Sequence, residues 1–299
     1  MKQDKYKIGI DLGGTKTEAV LLGPDNKKIH RKRIPTPASS GYDAIIKSLY
    51  EIITETAFKI PSGHNYILGI GIPGSVNPDT GLVQNANTTC LIGKPLKKDM
   101  ENLLKREIEV QNDANCFTLA ESLSGAATGY GLVFGVIMGT GCGGGIFIDG
   151  HIRKGSQSIA GEWGHFSVDP DGAECYCGNR GCIETKISGG GVEAAYLMKY
   201  GRKMVMKDIV KGYRNNEPSC ATIFDSFLDD YGRCLGGLIS TLDPDAVVIG
   251  GGLSNITELY TKGYERIKKY AFHEDLRTPV LKNKLGDSAG VFGAAWIGK

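Results

Sequence analysis

The chain has 299 residues, 41% of them hydrophobic, enough for one large domain or two ordinary ones. Lys+Arg 35 against Asp+Glu 33 leaves a net charge of +2, which excludes the strongly basic face of a nucleic-acid or anionic-membrane binder. No apolar run reaches the roughly 18 residues of a membrane span.

The first fourteen residues pass from a polar start directly into a strand-like run, with no signal-peptide apolar stretch, so a cytoplasmic protein is expected. Tyr6 to Asp11 reads as a strand and Gly13-Gly14-Thr15-Lys16 as a turn. Thr17 to Leu22 and Lys28 to Ile34 read as the next two strands. Ile45, Leu49, Ile52, Ile53 and Ala57 recur at helical spacing, predicting a helix over 42–58. Tyr66 to Ile72 is a buried strand, and Glu109 to Asn115 ends a strand and starts a helix. The opening plan then recurs. Leu132 to Met138 is an apolar strand, 139–144 a Gly-rich turn, Gly145 to Asp149 a strand, and Asp149-Gly150 a hairpin signal. A long helix over 221–242, a strand over 246–249, Gly250-Gly251-Gly252 and a small-residue helix over 288–297 follow. Two half-chains of one plan predict a duplicated α/β domain with a ligand cleft between the copies.

Asp11, Gly13, Gly14, Thr15 and Lys16 follow a strand directly. Glycines there let backbone N–H groups reach phosphate oxygens, Lys16 adds charge, and Asp11 suits a hydrated Mg²⁺. Gly139-Thr140-Gly141 is the equivalent loop of the second half, so two loops could grip one ATP triphosphate. Gly251 and Gly252 suit a close approach to adenosine. Each loop also reads as a plain tight turn, and neither is a Walker A motif. Asp113 suits the general base of phosphoryl transfer, or equally the N-cap of the helix it opens. His165, Cys175, Cys177 and Cys182 form a Cys₃His set within 18 residues, the composition of a structural Zn²⁺ site. Zinc would fix the ring of His165 and leave its other nitrogen for a substrate. Glu162 and Glu184 flank the set and suit polyhydroxyl ligands, or read equally as solvated surface charge.

Together DLGGTKTEAV, GIPGSVNPDTG at 71–81, NDANC at 112–116, GTGCGGG at 139–145, GEWGHF at 161–166, CYCGNRGCIET at 175–185 and DPDAVVIGGG at 243–252 resemble the ROK family of bacterial sugar kinases and repressors, over essentially the whole chain. The resemblance implies two actin-like, ribonuclease-H-like domains with ATP in the cleft. The division it suggests is 1–118 and 119–285, with a helix over 286–299 packing back on the first. It makes Asp113 the catalytic base, places Asn112, Glu162, His165 and Glu184 on sugar hydroxyls, adds Gly74 and Asn87 to that pocket, and gives zinc to the Cys₃His set. It also implies a homodimer. Family repressors carry an added N-terminal helix-turn-helix domain, for which the strand beginning near Tyr6 leaves no room. Within the family, Gln84 to Leu96 is similar to the fructokinases (mannofructokinases), with Cys90 where they have tryptophan. The expected reaction is therefore transfer of the γ-phosphoryl group of ATP to a hexose hydroxyl, fructose first. N-acetylglucosamine, glucose, mannose or N-acetylmannosamine are alternative acceptors. A non-catalytic sugar sensor and an actin-like ATPase are the readings of a different class.

Overall fold

The computed structural model describes residues 5–298; the polar start at 1–4 and Lys299 lie outside them. The chain divides into two compact units. One comprises residues up to Ala120, Ile152–Ala160 and the stretch from Asp287 on; the other comprises Glu121–His151 and Gly161–Gly286. Among the described residues no helix is long and apolar enough to cross a membrane.

The first unit opens with β1 (Tyr6–Leu12), β2 (Lys16–Leu22) and β3 (Lys28–Pro35), an antiparallel meander. Then come α1 (Tyr42–Ala57), β4 (Tyr66–Ile72), the short pair β5 (Ser75–Val76) and β6 (Val83–Gln84), α2 (Leu96–Leu104), β7 (Glu109–Asn112) and α3 (Asp113–Ser124). The sheet order is β3-β2-β1-β4-β7, with β4 parallel to both β1 and β7. Apolar residues fill β1, β2 and β4, which are covered on both faces, whereas β3 at the edge is basic and half-exposed. On one face, Ile45, Leu49, Ile52 and Ile53 of α1 are buried with Ile8, Ile10, Leu68 and Ile70 in one cluster. Each such side chain contributes roughly 1.5–3 kcal/mol.

The second unit repeats the plan with β8 (Leu132–Met138), β9 (Cys142–Ile148), β10 (His151–Ile152), α4 (Ile183–Ile187), α5 (Gly189–Tyr200), α6 (Met206–Arg214), α7 (Pro218–Leu242), β11 (Ala246–Gly250), α8 (Lys262–Tyr270) and β12 (Val280–Lys282). Its order, β10-β9-β8-β11-β12, has the same sequence of antiparallel and parallel neighbours. The expected duplication is thus present in the topology. One boundary differs: β9 begins at Cys142, inside the glycine run read as turn. A Cβ on Gly144 would lie 2.7 Å from the Trp163 ring and 2.8 Å from the Phe134 ring, so the strand runs through bare backbone because aromatic rings occupy the side-chain space.

The last helix, α9 (Ala289–Ile297), belongs to the first unit and lies on its sheet. Contact is close because both sides lack bulk. A Cβ on Gly9 would fall 2.1 Å from the Val291 carbonyl oxygen, one on Gly69 2.0 Å from that of Ala294, and one on Gly293 1.8 Å from that of Cys116. Backbone-to-backbone packing of β1, β4, α9 and α3 fixes the positions of Asp11 and Asp113, which stand at the ends of two of these elements.

Candidate active site

In the first unit the Gly13–Lys16 loop closes β1 onto β2. Gly13 N donates to Lys16 O at 2.9 Å, and Thr36 braces the turn, its amide donating to Thr15 O at 3.0 Å and its hydroxyl to Gly13 O at 2.7 Å. Gly14, Thr15 and Lys16 are exposed. Asp11, at the end of β1, is pushed up to about 6 by burial and then by Glu18, against the pull of Lys16 and Arg33. Glu18 is itself buried; burial alone would raise it, but bonds from Arg31 and Arg33 outweigh that and hold it low. Asp11 thus faces a negative charge already committed to other partners.

At the β7–α3 junction Asn112, not Asp113, caps the helix. Its Oδ1 accepts from Ala114 N at 2.9 Å and Asn115 N at 3.3 Å. Its Nδ2 donates to Gly74 O at 3.3 Å. Asp113 is the first helical residue, half-buried, with Oδ1 accepting from Ala114 N at 2.8 Å. There it lies in the positive field of the helix N-terminus. Gly74 has φ +147, and a Cβ on it would meet Ala86 and the Gln84 carbonyl at 2.8 Å; glycine is what lets this chain pass so near Asn112. Asn87 is exposed, its amide donating to Pro73 O at 3.2 Å. Gly74, Asn87, Asn112 and Asp113 therefore share one end of the sheet. Cys116, one turn into α3, is fully buried, and its thiol is pushed well up by burial and by both Asp11 and Asp113. Both carboxylates are thus near neighbours of one sulfur. Cys90, at the fructokinase departure, turns its thiol to the Ala38 carbonyl at 3.8 Å.

In the second unit the Gly139–Cys142 loop is locked onto the start of α5. Gly189 N donates to Gly139 O at 2.8 Å and Gly190 N to Thr140 O at 3.1 Å. Ser188 caps α5 by accepting from Gly191 N at 3.0 Å. Glu184 Oε2 accepts from Cys142 N at 2.8 Å, and a Cβ on Gly141 would fall 2.6 Å from that oxygen. One oxygen of Glu184 therefore shapes the loop, leaving the other for a ligand. Gly251 (φ +77) packs its Cα on the Met138 carbonyl, beside the same loop, and Gly252 opens a short 3-10 turn. A cavity of about 620 Å³ has Thr140, Glu184, Gly190, Gly191, Met198 and Phe227 in its wall. Glu162 is raised by burial, eased by His165 and raised again by Glu184, so the two glutamates and the histidine share one field.

The ligand atoms of His165, Cys175, Cys177 and Cys182 all lie within 4.8 Å of one another. His165 Nδ1 is 3.6 Å from Cys175 Sγ, and Cys177 Sγ is 3.6 Å from Cys182 Sγ. Ligands about 2.3 Å from a tetrahedral zinc stand about 3.8 Å apart, so this donor set fits zinc in both chemistry and span. Burial pushes the Cys182 thiol up to about 12 and raises Cys175, so a metal ion would have to displace those protons. His165 Nε2, expected to be left for a substrate, is 3.0 Å from Tyr176 Oη. Sequence reasoning missed that tyrosine, the Thr36 brace and the Ser188 cap.

A model of the ROK family matches residues 7–299. An N-acetyl-D-glucosamine kinase of Yersinia pseudotuberculosis is 38% identical over 299 residues, covering 97% of either chain. A ROK hexokinase from Thermus thermophilus has the same fold, at TM-score 0.88 and 27% identity over 98% of this chain and 97% of that one. A ROK family glucokinase from Streptomyces griseus, crystallised with glucose and AMPPNP, matches at TM-score 0.80 and 28% identity over 98% and 99%. With the family model spanning nearly the whole chain, and full-length kinases similar to it in sequence and fold, the chain belongs to the ROK family, among its sugar kinases.

Proposed function

We propose that the chain phosphorylates N-acetylglucosamine at the expense of ATP, with Asp113 as general base. The observation that carries the reading is the placement of Asp113 in the first turn of α3, its neighbour Asn112 capping that helix and holding the Gly74 carbonyl. A carboxylate so fixed suits a hydroxyl proton acceptor, since phosphoryl transfer depends mostly on positioning and charge neutralisation. The choice of acceptor rests on relatives. Gln84–Leu96 resembles fructokinases, but a curated relative 38% identical along the full length is an N-acetyl-D-glucosamine kinase, and a short stretch weighs less. Fructose remains the second acceptor to test.

In this reading Gly74, Asn87, Asn112, Glu162, His165 and Glu184 orient the sugar. His165 can do so through Nε2 once Tyr176 Oη, now 3.0 Å from that nitrogen, gives its place to a sugar hydroxyl. Asp113 takes the proton of the attacking hydroxyl, in our reading the one on O6. The exposed Gly14–Lys16 backbone and Lys16 suit phosphate oxygens, as do Gly139, Thr140 and Gly141, and the cavity beside Thr140 or the Gly251-Gly252 turn suits the nucleoside. Asp11 is the carboxylate for hydrated Mg²⁺, which when bound neutralises phosphate charge. Zinc, when bound, ties the 165–182 segment together.

The test is sugar-dependent ADP release with N-acetylglucosamine, fructose, mannose, glucose and N-acetylmannosamine at saturating Mg-ATP. N-acetylglucosamine is expected to give the highest kcat/KM. A higher value for fructose would reverse the choice of acceptor. No sugar-dependent release across the panel would leave a sugar sensor as the better reading.

A further inference from the structure

The Gly13–Lys16 loop is fastened at its flanks, by the Gly13–Lys16 bond and by Thr36, while its tip rests over a single side chain. Among the described residues, apart from Gly14 and its two chain neighbours, the one heavy atom within 4 Å of where a Gly14 Cβ would stand is Thr88 Oγ1, at 3.5 Å. Thr88 is 6% exposed, and its hydroxyl is buried with no hydrogen-bond partner among the described residues. It heads the short turn at Thr89–Leu91 without capping it by its side chain. It thus does none of the local work for which a threonine hydroxyl is ordinarily kept. Leaving a buried hydroxyl unpaired costs stability that valine, of the same shape, would not lose.

A peptide is planar and trans, so its N–H and C=O point in opposite directions. When the Gly14–Thr15 peptide turns its N–H outward to an anion, its carbonyl, that of Gly14, must turn inward, toward Thr88. We infer that Thr88 is a positioning residue for the phosphate loop, its hydroxyl donating to the Gly14 carbonyl and so holding the Thr15 N–H outward toward a nucleotide phosphate. The inference rests on the assignment of this loop to nucleotide phosphates, not on which sugar accepts.

Thr88→Val and Thr88→Ser separate this role from packing. Titration calorimetry with Mg-ADP reads the loop whether or not any sugar turns over. Thr88→Val is expected to weaken Mg-ADP about tenfold, the worth of one hydrogen bond, and to raise KM for ATP alike, with KM for the sugar unchanged. Its thermal midpoint without nucleotide should be no lower than that of the parent, and Thr88→Ser should restore nucleotide affinity. Unchanged Mg-ADP affinity in Thr88→Val overturns the inference, as does a parent protein that does not bind Mg-ADP, or a loss of stability and sugar affinity in step with nucleotide affinity. Intact, Thr88-dependent Mg-ADP binding without phosphorylation of any sugar counts against the kinase reading and for the role of Thr88.

Discussion

Asp113 keeps one oxygen on the Ala114 amide while Asn112 does the capping, so its charge can be removed without uncapping α3. Asp113→Asn should therefore lower kcat by about a thousandfold, as loss of a general base does, with zinc content and thermal midpoint kept. A variant retaining most of the parental kcat would remove Asp113 from the chemistry. Asp11 makes the opposite trade. Its carboxyl is pushed up to about 6 from an ordinary 3.8, so the folded chain holds its proton more tightly than the unfolded one. Stability is then greatest below pH 4 for this group and falls as pH rises toward 6. Asp11→Asn removes that ionisation. It should raise the unfolding free energy at pH 7.5 by up to about 3 kcal/mol, flatten the slope between pH 4 and 6, and lose Mg²⁺-dependent turnover. Denaturant melts across that window check it, and an unchanged slope would show that Asp11 is not strained.

Among the elements, β1, β2, β4, β8 and β11 were legible because each is an apolar run bounded by Gly, Asp or Pro; β3, which is basic, was legible from the turn before it, and the three-residue β12 was too short to read. The start of β9 was not legible, because Gly143, Gly144 and Gly145 carry no side chain to show a period and read as turn. The loops and the Cys₃His set were legible because each lies within a few residues of chain. Of the braces, Thr36 is an ordinary hydroxyl residue until folding brings it to Gly13, whereas the Ser188 cap is local but hidden by the glycines that follow it, which read as loop. The acceptor was not legible either, since the one cue, Cys90, turns its thiol to the Ala38 carbonyl. The Cys₃His segment has a consequence of its own. Its backbone is already cross-bonded, with Cys175 N to Asn179 O, Gly181 N to Ala173 O and Val168 N to Gly181 O among the bonds, and zinc would tie its side chains together as well. Cys182→Ser, or a strong chelator, should remove one zinc per chain by metal analysis and raise the sugar KM, since Glu184 lies two residues on. Full activity in metal-depleted protein would refute that coupling.

At the scale of the molecule the chain leaves its first unit after Ala120, revisits it over Ile152–Ala160 and returns to it for good at Asp287, and the first and last of these passages share a feature. One buried carboxylate is built into both passages. Glu121, 0% exposed, accepts from Ala126 N at 2.7 Å beyond the end of α3, and from Lys284 N at 3.0 Å and Leu285 N at 2.8 Å just before the return. A carboxylate can take these donors because it is acceptor-only, with lone pairs on both oxygens. Glutamine offers one acceptor oxygen and presents an NH₂ to the remaining amides; alanine offers none and takes this partner from three part-buried N–H groups. Glu121→Ala should therefore cost about 3–5 kcal/mol and Glu121→Gln somewhat less, lowering the thermal midpoint by roughly 5–10 °C. Nucleotide and sugar KM should stay within about twofold in Glu121→Gln at low temperature, because no assigned ligand residue touches Glu121. A midpoint equal to the parent's in both variants would mean that these amides find other partners, and that the two passages are not held by this side chain.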